Sequence, residues 1–312
     1  MTTPHVERMK DLPSTHLLGA GTAMCAGCGA LGALQEVYDL LGPKTVFVNA
    51  AGCMTLLCTY PFTPFRGSWL YTSMASAPAG AQGVRDALDV LIRKGRLPPD
   101  EDLATVVLTG DGAAYGMGLS ATSGAIERGL DFLYLCYDNE GYGNTGQQTS
   151  GATPHGARTA TDAGGAGHRG WKKDLFAIWA AHEPAYVATA IPSHPVDLAR
   201  KIETATGLRG PRLILLLAPC PTGWGFDPAQ SVEIGRLAVE TGLFPLKECV
   251  GGTVRHTVVP RPRRPVEDYL ARQERFAHLV GPERDQATID AIQARVDAYW
   301  RGVESSHAPA AG

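Results

Sequence analysis

The chain has 312 residues, enough for one large α/β domain or two smaller domains. Its 28 Lys and Arg against 31 Asp and Glu give a net charge of −3, and no basic stretch is interleaved with aromatic residues, so we expect no nucleic-acid binding. The longest apolar run, residues 213–218, is too short to span a membrane. Because the polar start of the chain contains no signal region, we expect a cytoplasmic protein.

The predicted elements alternate between helix and strand along most of the chain. An apolar stripe predicts a helix over 31–41, which Gly42-Pro43 ends before a strand at 45–48, and a longer helix follows over 75–94. A strand at 105–109, a helix at 118–128 and a strand at 132–137 form a βαβ unit. Further helices are predicted at 175–181 and 196–206, and further strands at 186–190 and 212–218. This alternation predicts an α/β fold with a doubly wound, mostly parallel sheet.

Two segments do not fit the alternation. Residues 151–170 are rich in Gly, Ala and Thr without periodicity, which predicts either a mobile lid or a loop ordered by a partner. After residue 252 the composition changes to a Pro/Arg linker and two charged amphipathic stretches. We therefore expect a cofactor-binding domain over 1–252 and a C-terminal extension over 253–312 that packs on partner subunits.

Seven cysteines, an odd number in a long chain without a signal region, argue against a disulfide framework. One pair, Cys25-Ala26-Gly27-Cys28, precedes the first predicted helix. Such a pair is typical of a dithiol redox centre, of half a zinc site or of half an iron–sulfur site. The alternative without chemistry is that both cysteines are small core residues. Because a redox pair belongs directly after a strand, which this pair does not follow, the other cysteines decide the interpretation.

Two further cysteines follow predicted strands. Cys53 comes after the strand at 45–48, and Cys220 comes after the strand at 212–218. Because ligands bind at the carboxyl ends of parallel strands, we expect both to converge on the Cys-x-x-Cys pair, where four thiolates would hold a [4Fe–4S] cluster or zinc. Cys136 and Cys249 are interpreted as packing residues, and Cys58 is the rival for a ligand position.

Polar residues end the two strands of the βαβ unit. Gly110-Asp111-Gly112 follows the strand at 105–109, and Asn139 follows the strand at 132–137. Flanking glycines let the backbone approach a diphosphate, and carboxylate and amide oxygens are ligands that Mg²⁺ accepts. A lone Gly-Asp-Gly is often a simple turn, but its pairing with an asparagine across one βαβ unit predicts a magnesium–diphosphate site.

Several motifs occurring in one order resemble a known family. Gly110-Asp111-Gly112 with Asn139 resembles the thiamine diphosphate motif. The chain as a whole, from Leu18 to Glu248, resembles the β subunit of pyruvate:ferredoxin oxidoreductases through four further motifs: Cys25-Ala26-Gly27-Cys28-Gly29, Asp138-Asn139-Glu140-Gly141-Tyr142-Gly143-Asn144-Thr145-Gly146, Trp171-Lys172-Lys173-Asp174 and Cys220-Pro221-Thr222-Gly223-Trp224.

The resemblance implies roles for individual residues. Asp111 and Asn139 would bind Mg²⁺ through side-chain oxygens and Gly141 through its carbonyl, Gly110 and Gly112 would flank the diphosphate, and Asn144 would lie beside the reaction centre as the catalytic residue. One [4Fe–4S] cluster would be bound by Cys25, Cys28, Cys53 and Cys220. The implied reaction is thiamine-dependent oxidative decarboxylation of a 2-oxoacid to acyl-CoA and CO₂, with electrons leaving through the cluster.

The resemblance also implies partner subunits. Thiamine enzymes need a glutamate against the aminopyrimidine ring, and the family carries it on a separate α subunit, accompanied by γ and ferredoxin-like δ subunits. We therefore expect this chain to form half of an active site, with coenzyme A as co-substrate and ferredoxin or another electron acceptor.

Pyruvate is the expected substrate, because Ala26 stands where 2-oxoglutarate-type relatives carry Pro. Phenylglyoxylate or a branched-chain 2-oxoacid is the alternative, since a hydrophobic pocket separates substrates that differ by one methylene by only ~1–3 kcal/mol. A zinc-stabilised, non-catalytic scaffold subunit is the alternative of a different class. A thiamine decarboxylase without electron transfer would leave the cysteines unexplained.

Overall fold

An eight-stranded sheet lies at the centre of the computed structural model, which describes residues 3–59, 61–162, 165–282 and 284–306. The strands are β1 (Thr45–Ala50), β2 (Ser68–Thr72), β3 (Ala104–Gly110), β4 (Phe132–Asp138), β5 (Tyr186–Ala190), β6 (Pro211–Leu217), β7 (Leu246–Val250) and β8 (Thr253–Val258). The helices are α1 (Gly29–Leu41), α2 (Ala77–Arg93), α3 (Leu119–Glu127), α4 (Leu175–Ala180), α5 (Pro195–Thr206), α6 (Pro221–Trp224), α7 (Ser231–Glu240), α8 (Glu267–Leu270), α9 (Ala277–Val280) and α10 (Gln286–Ser306).

The strand order is β2-β1-β3-β4-β6-β5-β7-β8. The first six strands of this order pair in parallel, whereas β7 and β8 are antiparallel. β1, β4, β5 and β6 are buried along their whole length, which explains their continuous apolar sequences, and a separate hydrophobic cluster covers each face of the sheet. The prediction of a doubly wound, mostly parallel α/β fold is confirmed.

The C-terminal residues pack against this chain's own core. Tyr269, Phe276, Ile292 and Trp300 are buried in the same hydrophobic cluster as α4 and β6, and the Trp300 indole N–H donates to the Gly242 carbonyl at 3.0 Å. The predicted boundary at residue 252 falls in the turn between the paired strands β7 and β8. Contact of this extension with partner subunits stays a prediction.

The Gly-rich segment 151–170, where the structure describes it, packs against the rest of this chain. Ala152 and Ala157 are buried, and the backbone of Gly156 and Ala157 pairs with that of His168. The Arg158 N–H donates to the carbonyl of Arg275. The C-terminal segment therefore contacts this loop, and the choice between a mobile lid and a loop ordered by a partner stays a prediction. No helix in the described ranges is long and apolar enough to cross a membrane.

Candidate functional site

Four neighbouring strands of the sheet end at one edge, and a predicted site residue follows each of them. In sheet order β1, β3, β4 and β6 lie side by side and parallel. Cys53, Asp111, Asn139 and Cys220 come within three residues of their carboxyl ends. The sheet therefore brings together side chains that are far apart in sequence.

Three oxygen-bearing groups converge between β3 and β4. One end of the Asn139 side-chain amide lies 2.7 Å from Asp111 Oδ1 and 2.8 Å from the Gly141 carbonyl oxygen. The Asn139 amide can point either atom to this end. If the nitrogen lies there, it donates to both oxygens. If the oxygen lies there, three oxygens meet, and a cation is required between them. The other end of the same amide lies 3.6 Å from Cys53 Sγ.

A cavity of about 180 Å³ opens beside these oxygens, and all the residues predicted to bind the cofactor line it, namely Gly110, Asp111, Gly112, Asn139, Gly141 and Asn144. Gly112 has no room for a side chain, because an added Cβ would lie 2.2 Å from the Tyr142 ring. At Gly143 an added Cβ would lie 2.6 Å from Asn139 Nδ2 and 3.3 Å from Cys53 Sγ. Asn144 is exposed at the rim. The glycines therefore permit close packing around Asn139.

Asp111 is a buried carboxylic acid. Burial raises its pKa well above the usual value, the nearby Asp138 carboxylate raises it further, and the Ser150 hydroxyl, which donates to Asp111 Oδ2, opposes the shift. Ser150 is itself fixed by the N–H of Ala152, which donates to its Oγ at 3.0 Å. A cation beside this carboxylate would favour its ionised form.

A buried network of ion pairs supports the loop behind Asn139. Lys172 Nζ lies 2.6 Å from Asp138 Oδ2 and 2.8 Å from Glu140 Oε1, and Arg275 Nη2 lies 2.7 Å from Glu140 Oε2. The Tyr115 hydroxyl also donates to Asp138 at 2.6 Å. The two carboxylates and two cations balance in charge, which is the condition under which such groups are tolerated in a protein interior.

The network acts differently on its two acids. Burial raises the pKa of Asp138. Burial would also raise the pKa of Glu140, but the positive charges of Lys172 and Arg275 outweigh this effect, so the pKa of Glu140 is lowered. Glu140 also has a φ of 63°, a backbone conformation that a residue other than glycine adopts at a cost. Its ionised side chain is therefore held at both oxygens while its backbone turns toward Gly141.

The four cysteines predicted as ligands lie together. Burial, and then the nearby Cys220 and Cys28 thiols, raise the pKa of Cys53 to about 12. Burial, and then Cys28 and Cys25, raise the pKa of Cys220 to about 11, against the Gly223 N–H that donates to its Sγ at 3.3 Å. Each of these two thiols is therefore influenced by other cysteines predicted as ligands. No three His, Cys, Asp or Glu side chains in the described chain are close enough together to hold a single ion.

The Cys-x-x-Cys turn is docked onto the loop after β6. The Gly29 N–H donates to the Pro219 carbonyl at 3.0 Å, and the Ser231 hydroxyl donates to the Gly27 carbonyl at 2.6 Å. Gly27 has a φ of 69°, and a Cβ there would lie 2.5 Å from the Pro228 carbonyl oxygen. The glycine between the two cysteines is therefore required to bring Cys25 and Cys28 to Cys220.

The other three cysteines lie elsewhere. Cys136 is buried within β4 and Cys249 within β7. Cys58 Sγ contacts the Thr63 hydroxyl at 3.4 Å. None of the three is among the groups that influence the pKa of Cys53 or Cys220 most strongly.

Sequence reasoning missed several supporting residues. Ser150 and Tyr115 contact the acids of the site, but a lone serine and a lone tyrosine carry no pattern. Arg275 arrives from the C-terminal extension, 135 residues after Glu140. Both polar atoms of the buried Gln147 amide, which lies between Gly141 and Gly223, lack a hydrogen-bond partner in the described structure. Among these supporting residues, Lys172 alone belongs to a motif of the family resemblance, Trp171-Lys172-Lys173-Asp174.

Comparison with known proteins gives concordant results. Residues 50–216 match the thiamine pyrophosphate enzyme C-terminal TPP-binding domain. The chain is 42% identical to the pyruvate synthase subunit PorB of Methanocaldococcus jannaschii over 291 residues, covering 92% of this chain and 96% of that protein. It is 38% identical to the ketoisovalerate oxidoreductase subunit VorB of Pyrococcus abyssi over 302 residues, covering 95% and 94%.

A solved structure shares the fold. The 2-oxoglutarate:ferredoxin oxidoreductase from Magnetococcus marinus, with 2-oxoglutarate, coenzyme A and succinyl-CoA bound, superposes with a TM-score of 0.57 at 19% identity, covering 93% of this chain and 98% of that chain. The extent and identity of the PorB and VorB matches, together with the matched TPP-binding domain, show that the chain belongs to the family of thiamine diphosphate-dependent 2-oxoacid oxidoreductase β subunits.

Proposed function

We propose that this chain is the thiamine diphosphate- and [4Fe–4S]-binding β subunit of a 2-oxoacid:ferredoxin oxidoreductase that makes acyl-CoA and CO₂, with pyruvate as substrate. The observation that carries the proposal is the position of the Asn139 amide. Its one end lies with the oxygens of Asp111 and Gly141 and its other end 3.6 Å from Cys53 Sγ. A site for a magnesium–diphosphate group and a site built from thiols are therefore contiguous.

The donor atoms fit the two groups. Asp111, Asn139 and Gly141 offer the hard oxygen ligands that Mg²⁺ accepts together with substrate phosphates. Cys25, Cys28, Cys53 and Cys220 offer the four thiolates that a [4Fe–4S] cluster takes. Once bound, thiamine diphosphate would supply the nucleophilic carbon and electron sink for decarboxylation, and the cluster a one-electron exit.

The protein's own residues would then bind and orient. The oxygens of Asp111, Asn139 and Gly141 would anchor the diphosphate through Mg²⁺, and Gly110 and Gly112 would allow the backbone to approach it. Asn144, exposed at the cavity rim, would contact the substrate side of the cofactor. The buried pairs of Glu140 with Lys172 and Arg275 would keep the loop in place while charge changes beside it.

The oxygens of the site favour a catalytic subunit over a zinc-stabilised scaffold. A scaffold would leave the oxygens of Asp111, Asn139 and Gly141 without a role. The four predicted cysteine ligands by themselves offer thiolates that either zinc or a [4Fe–4S] cluster accepts.

A separate α subunit would complete the active site. Among the described residues that line the 180 Å³ cavity, Asp111 is the only carboxylate, so none remains for the aminopyrimidine ring. Apolar side chains are exposed on the segments around the cavity, including Leu56, Tyr71 and Met117, at 39%, 52% and 53%. Exposed apolar side chains on segments around a cavity favour a partner subunit at this face. We further propose γ and ferredoxin-like δ subunits, and ferredoxin or another protein as acceptor.

Anaerobic assays test the proposal. Purified alone, the chain should contain iron and sulfide but show no 2-oxoacid-dependent dye reduction, and addition of the α subunit should restore activity with coenzyme A. Cys220→Ala should lose the cluster, whereas the matched control Cys249→Ala should keep it. Full cluster content in Cys220→Ala would overturn the ligand assignment, and a colourless, zinc-loaded chain would support the scaffold alternative.

Substrate choice needs its own comparison, because relatives named for pyruvate and for ketoisovalerate are similar to the chain at 42% and 38% identity. We expect kcat/KM of the assembled complex to be highest for pyruvate, above 2-oxoisovalerate, phenylglyoxylate and 2-oxoglutarate. A preference for 2-oxoisovalerate or phenylglyoxylate would replace pyruvate with the stated alternative, and a preference for 2-oxoglutarate would contradict both.

A further inference from the structure

A second cavity, of about 260 Å³, lies between the sheet, α4 and α10. Its apolar interior is formed by Phe176 of α4, Leu215 and Leu217 of β6, and Val296 and Tyr299 of α10. It shares no lining residue with the 180 Å³ cavity in the described chain. Because one water needs only ~15 Å³, the space is large enough for an organic ligand.

Lys247 of β7 brings an ammonium group into this cavity. The residue is 9% exposed, and its Nζ lies 4.4 Å from the ring centroid of Phe176 and 5.1 Å from that of Tyr299. Within the described ranges, neither an ion pair nor a hydrogen bond to Nζ is present. Burial lowers the pKa of Lys247, and Asp174, an exposed residue before α4, opposes this shift. The aromatic contacts compensate the buried charge in part.

The cavity carries a surplus of positive charge. Four cationic side chains and two carboxylates line it. Lys172 is paired with Glu140, which leaves Lys173, Lys247 and Arg295 against Asp174 alone. At the rim the Arg295 guanidinium lies 4.6 Å above the Trp171 ring. A buried, unpaired ammonium with further cations nearby favours an anion in a space of low dielectric constant.

We propose that the α4–α10 cavity binds a small monocarboxylate with an apolar body. The carboxylate would pair with Lys247, and the hydrocarbon part would lie against Phe176, Leu215 and Val296. The occupant would also adjoin Lys173, whose Nζ donates to the Tyr115 carbonyl at 2.9 Å. No residue of the thiol or oxygen donor sets lines this cavity, although Tyr115, Glu140 and Lys172 of the buried network do, and the proposal does not rest on the proposed function.

Calorimetric titration of the full-length chain with isovalerate, and with the uncharged isovaleramide as a matched ligand, tests the proposal. Isovalerate should bind one to one, and isovaleramide about tenfold or more weakly, because it cannot pair with the ammonium. Lys247→Met keeps the apolar part of the side chain but removes the ammonium, so its affinity for isovalerate should fall by about tenfold or more. Lys94→Met, which removes an exposed lysine after α2, should bind as the unaltered chain does.

The remaining outcomes contradict the proposal. Absence of isovalerate binding, equal affinity for isovalerate and isovaleramide, or equal affinity of Lys247→Met and the unaltered chain would each overturn it. Loss of isovalerate binding in Asp111→Asn would place the ligand in the cofactor cavity and would overturn it too. If Lys247→Met does not fold, the affinities of the unaltered chain for isovalerate and for isovaleramide test the proposal on their own.

Discussion

Arg275 joins the C-terminal segment to the loop that carries the proposed magnesium ligands, so its removal tests whether the two parts act together. Its side chain is 3% exposed, that of Glu140 is 8% exposed, and their charged atoms lie 2.7 Å apart. The guanidinium also stacks 4.0 Å above the Trp224 ring. Arg275→Met keeps much of the side-chain volume but leaves one Glu140 oxygen without its cation.

Removing one partner of a buried ion pair costs about 3–5 kcal/mol in the free energy of unfolding. Lys172 remains 2.8 Å from the other Glu140 oxygen and continues to compensate the charge. We therefore expect the lower end, about 3 kcal/mol, which a domain with a stability of about 5–15 kcal/mol survives. Arg284→Met is the matched control, because both side chains of its pair with Glu267 are 38% exposed and such pairs contribute below about 1 kcal/mol.

Urea unfolding of the full-length variants, followed by circular dichroism, measures the first effect. The effect on the proposed magnesium site is measured by the affinity for thiamine diphosphate in the presence of Mg²⁺. This affinity should fall in Arg275→Met and not in Arg284→Met, because Arg275 holds Glu140, which lies between the proposed ligands Asn139 and Gly141. If Arg275→Met unfolds at the same urea concentration as Arg284→Met, the buried pair does not stabilise the fold as argued. A stability loss without a loss of affinity would limit Arg275 to a structural role.

Three further substitutions have expected outcomes. Asp111→Asn should lower thiamine diphosphate affinity steeply without unfolding the chain, since it removes the ligand charge and keeps the shape; unchanged calorimetric affinity would exclude this site. Gly143→Ala should weaken cofactor binding, because its Cβ would displace Asn139, whereas Gly83→Ala, with nothing within 4 Å, should stabilise α2 by about 0.5–1 kcal/mol in thermal unfolding. Burial raises the pKa of Glu36 from 4.5 to about 8. The free energy of unfolding should therefore fall by about 1.4 kcal/mol for each pH unit of this interval, roughly 5 kcal/mol in all, and Glu36→Gln should abolish this fall, which urea titration measures.

The buried strands and their connecting helices could be predicted from the sequence because their patterns are local. The strand predicted at 186–190 has the bounds of β5, and the helix predicted at 31–41 differs from α1 by two residues. β2 was missed because it is an edge strand with largely exposed side chains, which gives no apolar run. The β7–β8 hairpin was missed because the prediction relied on strands that alternate with helices, which gives parallel neighbours. An antiparallel pair at the end of the sheet has no helix between its strands and therefore lacks this signal.

The candidate site divides in the same way. Residues that closely follow a strand, such as Asp111 and Cys220, could be predicted as candidates because the carboxyl edge of a parallel sheet is where ligands bind, and their roles stay predictions. The contacts of Glu140 with Arg275, and of Asp111 with Ser150, depend on how distant segments pack and leave no spacing in the sequence. The C-terminal extension was expected to face partner subunits, since its charged amphipathic stretches do not reveal that Tyr269 and Trp300 enter this chain's own core.

The order of strands in the sheet explains why the two donor sets adjoin. β3 and β4 are consecutive in the chain and carry the oxygens, whereas β1 and β6 flank them on either side and carry Cys53 and Cys220. In the order of the strands, the loop after β4 with Asn139 therefore lies between Cys53 and Cys220, and both Cys53 and Asn139 line the cavity. Gly143 and Gly223 leave the space for these cysteines, since a side chain at either would lie within 3.3 Å of a cysteine sulfur. A cofactor anchored by Asp111 would thus lie next to Cys53 through the sheet topology itself, before any partner subunit contributes.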